Sequence, residues 1–209
     1  MSEDMIVRHC APTLAGLKTG NIFTVDYRNK RELNEELCRM NSLLNERGVQ
    51  MICLRARNRR ALIYTYRPGK LKRDLADKEA KKILLESGYW EEHRESRVRK
   101  LKERIQECEG FPHEIGLFLG YPPEDVRGFI ECCGKQYKIC GYWKVYGDQR
   151  KAEKQFASFA KCTLTYMKCL QQGSNLQKLT VRASLCEKAE EKTQSGEAFN
   201  IEGGNDGTV

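Results

Sequence analysis

Four segments of the chain carry residues whose types and spacing could do chemistry. The first is His9-Cys10-Ala11-Pro12-Thr13-Leu14-Ala15-Gly16-Leu17-Lys18-Thr19-Gly20. Pro12 suits the first turn of a helix, which would set His9 and Cys10 at its amino end, where free N–H groups and the helix dipole favour an anion or a thiolate. Thr13 and Lys18 add a hydroxyl and an ammonium to the same candidate site. The stretch Gly16-x-Lys18-Thr19-Gly20 is not a phosphate loop, because the required glycine-to-lysine spacing is missing and the strand follows the glycines instead of preceding them. A plain turn entering a strand uses the same residue types.

The second segment is Phe111-Pro112-His113-Glu114-Ile115-Gly116-Leu117-Phe118-Leu119-Gly120-Tyr121-Pro122-Pro123-Glu124-Asp125. A zinc-protease motif would need histidine at 117, where leucine stands, so that reading is rejected. His113, Gly116 and Gly120 fall on one face of a helix, so the imidazole would look along a groove free of side chains, with Glu114 beside it. A histidine that only caps a helix is the plainer reading. The third segment is Cys140-Gly141-Tyr142-Trp143-Lys144-Val145-Tyr146-Gly147-Asp148. Strand alternation sends Trp143 and Val145 to one face and Tyr142, Lys144 and Tyr146 to the other, where two tyrosines around a lysine could hold a planar anion or simply form a wet sheet face.

The fourth feature is electrostatic. Between Arg55 and Arg73 lie eight basic residues (55, 57, 59, 60, 67, 70, 72 and 73) and no acidic one, as much charge as the whole chain nets at +8. Such a run invites a nucleic-acid or acidic-partner reading, although no recognised nucleic-acid signature accompanies it and a solvated face explains it as well. His9, Cys10, His113, Glu114 and Cys140 also make a mixed set that iron or zinc could accept, but no ligand spacing supports it and no metal site is assigned. No catalytic residue and no cofactor is assigned.

These segments need a scaffold. Alternating apolar positions place a strand at 21–27, and Leu33, Leu37, Met40 and Leu44 line one face of a helix over 30–47 stopped by Gly48. A hairpin follows, 49–55 and 61–67, turning at 57–60. Helices are expected at 69–87, 91–108, 112–119 and 123–133, the last two opened by proline and closed by glycine. A last strand over 137–146 precedes a long helix capped by Asp148. The sum is a single α+β domain over 1–172, with a four-stranded mixed sheet carrying helices. From Gly173 the composition turns to Ser, Gln, Glu, Asn and Gly, so 173–209 reads as a flexible tail, with a short helix near Leu176 the one element it could form.

Two hundred and nine residues suit one domain, and a mean hydropathy of −0.67 is low for a compact enzyme. No apolar run approaches the roughly 18 residues of a membrane helix, and the first residues lack the pattern of a signal peptide. Ten cysteines without an export signal read as reduced thiols, so a cytoplasmic address with no membrane insertion is expected.

The three strings around His9, His113 and Trp143, the last continuing to Lys161-Cys162-Thr163, resemble a family of bacterial proteins known as domain of unknown function 3793, found mainly in anaerobic Gram-positive organisms. The resemblance covers about residues 7 to 172 and implies no established activity, fold or cofactor. It does imply gene neighbours for flavodoxin and iron transport, which directs the ligand expectation toward a small, anionic, redox- or iron-related molecule. The expected site is a groove made by all three strings: His9, Cys10, Thr13, Lys18, His113, Glu114, Tyr142, Lys144 and Tyr146.

Overall fold

A computed structural model describes residues 1–90, 94–107 and 110–183, without the side chains of 94 and 95. The chain opens with helix α1, Glu3–Leu14. Ser2 caps it by accepting from the Met5 amide, Glu3 and Asp4 sit at the positive end of the dipole, and Ile6, Val7, Cys10, Ala11 and Leu14 form a buried stripe. This corrects the expected geometry of the first segment. Pro12 lies in the last turn, so His9 and Cys10 stand toward the helix's carboxyl end. The amide that Pro12 lacks would have met the carbonyl of Arg8, which is exposed and can turn to water.

Strands β1 (Gly20–Asp26), β2 (Gln50–Arg57) and β3 (Arg60–Tyr66) form an antiparallel sheet in the order β1-β3-β2. Asn58 and Arg59 take φ values of 51° and 59°, the left-handed pair that a two-residue hairpin of matching twist demands. The central strand is buried on both faces, which is why its Ala-Leu-Ile-Tyr-Thr-Tyr run shows no alternation. Ala61 and Ile63 join one apolar cluster with Phe23, Val25 and the stripes of α1 and α2 (Lys30–Leu44). Leu62, Tyr64 and Tyr66 join a second with helices from the middle of the chain.

Those helices are α3 (Pro68–Asp74), α4 (Lys78–Glu86), α5 (Arg94–Glu107), α6 (Ile115–Phe118) and α7 (Pro123–Glu131). The single helix expected at 69–87 breaks because Asp77 turns its carboxylate onto the amides of Glu79 and Ala80 and starts a new one. The helix expected from Pro112 shrinks to one turn, leaving His113 ahead of it. The last expected strand folds on itself into a two-residue ladder, β4 (Ile139–Cys140) with β5 (Lys144–Val145), and does not join the main sheet. The α+β class holds, with three antiparallel strands and a separate hairpin in place of four mixed ones.

Helix α8 (Gln149–Gln171), capped by Asp148, packs on α1 and on the hairpin, where Trp143, Val145, Ala152 and Phe159 make a third cluster. Helix α9 (Leu176–Leu179) follows, with both leucines buried against α1 and Val181 N–H bonded to the Leu14 carbonyl. The packed chain therefore runs past residue 172, where composition had placed its edge; the rest of the expected tail lies outside the described residues. No helix among the described residues is long and apolar enough to cross a membrane.

Candidate functional site

Between the α6–α7 corner and the β4–β5 hairpin lies a pocket of about 310 Å³. Its walls are aromatic: Phe111 and Phe129 from the α5–α7 side, and Tyr121, Tyr142 and Trp143 from the other. Tight packing shapes it. Trp143 stacks on Tyr121 with centroids 4.9 Å apart and meets Phe156 edge-on at 4.6 Å. Gly116 lines the pocket because nothing larger fits, a Cβ there falling 2.7 Å from Cγ2 of Val126.

Asp125 fixes the hairpin to α7. Its Oδ2 accepts from the Trp143 indole N–H at 2.7 Å, and its Oδ1 accepts from the amides of Tyr146 and Gly147, both at 2.7 Å. Three donors at one buried carboxylate compensate its desolvation. Lys144 Nζ donates to the Gly134 carbonyl at 2.7 Å and lies over the rings of Tyr137, at 4.8 Å, and Phe129, at 5.7 Å. His113 is exposed at the mouth with its ring edge-on to Phe129 at 5.1 Å. Cys140 places a thiol on the same lining, opposite Lys144 in the ladder.

Three of the nine expected site residues, His113, Tyr142 and Lys144, therefore share one pocket. Glu114 does not point into it: its carboxylate is buried and accepts from Arg104 Nε at 2.6 Å and from the Tyr89 hydroxyl at 3.0 Å, an anchor between α5 and α6. Burial and the Glu114 charge push the Tyr89 hydroxyl far above its ordinary pKa. The ring of Tyr146 packs against Gly128, and its hydroxyl is buried without a hydrogen-bond partner.

The first segment lies mainly with the other cluster. His9 is exposed and stacks on Phe23 at 5.4 Å; Thr13 donates to Oδ1 of Asn21 at 2.8 Å; Thr19 donates to Asp74. Cys10 is fully buried, which pushes its thiol up to about 12. Lys18 is buried as well, and desolvation lowers its ammonium to about 8. Its Nζ lies 5.1 Å from the ring centre of Tyr121, so the first segment touches a wall residue of the pocket without lining the pocket itself.

The basic run is divided. Arg67 is buried and donates to the carbonyls of Thr13, Leu14, Arg47 and Val181, placing a cation on the carboxyl end of α1 and tying α9 to it. Arg55 donates to the Ile105 carbonyl and lies over Phe111. Arg57, Arg59 and Arg60 remain exposed at the hairpin turn, and Lys72 and Arg73 on α3. The mixed metal set is not assembled: no three His, Cys, Asp or Glu side chains among the described residues are placed to hold an ion.

Phe111, Phe129, Cys140, Trp143 and above all Asp125 are pocket residues that sequence reasoning did not assign. Asp125 read as an ordinary acid in the first turn of a helix, and nothing local announces that it receives an indole 18 residues later.

The fold and site define an α+β protein whose three-stranded sheet separates two apolar clusters and whose later half builds a small aromatic pocket. The chain belongs to the family described as protein of unknown function DUF3793, whose model matches residues 6–180, a span that includes α9. No curated protein and no solved structure matches it.

Proposed function

We propose that this protein binds a small organic molecule in the pocket between the α6–α7 corner and the β4–β5 hairpin. The observation that carries the reading is the convergence there of His113, Tyr142 and Lys144, from two separate segments, on a concave surface walled by aromatic rings. A volume of about 310 Å³ suits one or two fused rings with a short substituent. The walls are held by contacts among themselves, Asp125 to the Trp143 indole and Tyr121 stacked on Trp143, so the site is formed before a ligand arrives. Preorganisation of that kind spares a ligand the cost of ordering side chains.

Calorimetric titration of the full chain with 2-naphthylmethanol tests this. A ligand of that size in an aromatic site reaches a Kd of about 0.1 mM. Phe129→Ala removes a half-buried wall and an aromatic contact of about 1 kcal/mol, so affinity should fall about fivefold. Absence of measurable binding by this alcohol and by charged probes with the same ring system, or binding that Phe129→Ala leaves unchanged, would overturn the proposal.

A further inference from the structure

The polar groups of this pocket are asymmetric: its donors are unspent and its carboxylate is spent. Asp125 is the one acidic side chain on the lining among the described residues, and both its oxygens already accept, one from an indole N–H and the other from two amides. It has little left to offer a cation or a donor. Lys144 carries three N–H groups and gives one, to Gly134. Lys144 lines the pocket and its ammonium is held by two rings and that carbonyl, so a ligand that reaches it need not order a flexible chain. His113 stands at the mouth, its imidazole without a hydrogen-bond partner among the described residues, and an imidazole offers at least one N–H in either protonation state. Beside these donors stand the walls Phe129, Tyr142 and Trp143, aromatic rings that favour a flat ring.

From this we infer that the ligand is a planar aromatic molecule bearing an anionic group, a carboxylate being the simplest, with its ring between the aromatic walls and its charge on Lys144 and His113. The inference rests on the binding reading above and adds the chemical class. Buried against apolar walls, the same charge pair is screened far less than it would be in water. An ammonium-bearing ligand of the same shape would meet Lys144 with like charge, and the Asp125 oxygens that could pair with it are already taken.

Three probes with one ring system separate the possibilities: 2-naphthoate, 2-naphthylmethanol and 2-naphthylmethylammonium, each titrated calorimetrically into the full chain. The expected order is carboxylate tightest, by about tenfold over the ammonium, with the alcohol between. Raising the salt from about 0.05 to about 0.5 M should weaken the carboxylate by no more than about twofold and leave the alcohol unchanged. Lys144→Met keeps a side chain of similar length but removes the ammonium over Phe129 and Tyr137, and should shrink the carboxylate's advantage to less than about threefold. Should that variant not fold, the order and salt response of the wild-type titrations decide alone. Equal affinities, or a tighter ammonium, overturn the anionic class and leave the pocket standing; failure of all three probes overturns the pocket with it.

Discussion

Replacing Lys18 by methionine should make the protein more stable at neutral pH and leave its stability unchanged in alkali. Lys18 is 4% exposed, and its neighbours are the Tyr121 ring and the Cys10 thiol, with no carboxylate in reach among the described residues. Desolvation brings its pKa from 10.5 to about 8. At about 1.4 kcal/mol per pH unit, holding the ammonium at pH 7 costs the fold about 3 kcal/mol. Between pH 8 and 10.5 the unfolded chain keeps a proton that the folded one releases, so this cost fades as pH rises and is gone above 10.5. Cys10 works in the opposite sense. Its folded pKa of about 12 lies above the ordinary 9, so from pH 9 upward the unfolded thiol ionises first and stability is lost. Urea unfolding of wild type and Lys18→Met at pH 7 and pH 10 reads the difference directly. The variant should gain about 2–3 kcal/mol at pH 7, with methionine filling the lysine stem, and the gain should fall below about 1 kcal/mol by pH 10. A variant no more stable than wild type at pH 7, or a gain that does not shrink with pH, would refute the assignment of Lys18 as an uncompensated buried charge.

Arg67→Met strips four carbonyls of a cationic donor at the junction of α1 and α9, and should cost about 3 kcal/mol or more in urea unfolding. Glu114→Gln leaves Arg104 and the Tyr89 hydroxyl with a weaker acceptor and should cost about 1–3 kcal/mol, whereas His113→Ala, at an exposed position, should change stability by less than about 0.5 kcal/mol. Gly116→Ala must push Val126 or Tyr121 aside and should lower both stability, by about 1–3 kcal/mol, and affinity for 2-naphthylmethanol. In the folded protein a thiol reagent should label the exposed Cys38, Cys133 and Cys140 quickly and Cys10 only on unfolding, as peptide mass mapping would show.

What the sequence made legible were the elements with strong local signals. Alternation placed β1, and the two-residue turn at Asn58-Arg59 lies inside the one expected; the heptad-like stripe from Leu33 to Leu44 gave α2 almost to its ends. Helix α1 carried its own signal, a serine cap followed by two acids and an apolar stripe, which attention to Pro12 obscured. The sheet's strand count was misjudged because a glycine and three aromatic residues over 141–143 and 146 read as strand in one dimension. In space Gly141 turns the chain, its missing Cβ giving room to the ring of Phe156. Leu176 and Leu179 illustrate the opposite failure: two leucines in a polar stretch look too few to bury, yet α1 offers them a ready face and Arg67 and Arg47 supply carbonyl contacts at 180 and 181.

The candidate site was half legible for a similar reason. His113, Tyr142 and Lys144 could be flagged by residue type, and the structure joins them. The walls could not be, because Phe111, Phe129 and Trp143 look like any core aromatic until the corner before α7 and the hairpin meet. The chemistry-bearing residues of the first segment were flagged for the same residue types, and most are accounted for by packing: Thr13 by Asn21, Thr19 by Asp74, His9 by Phe23.

The most direct test is to map backbone amide chemical shifts of the full chain, labelled with nitrogen-15, on addition of 2-naphthoate. Shifts should move along 111–129 and 140–144 and stay fixed at His9, Cys10 and Thr13, with the largest changes at His113 and Lys144. No perturbation at saturating probe, or perturbation centred on His9 to Thr13 with the 140–144 hairpin unmoved, would contradict a ligand site in this pocket.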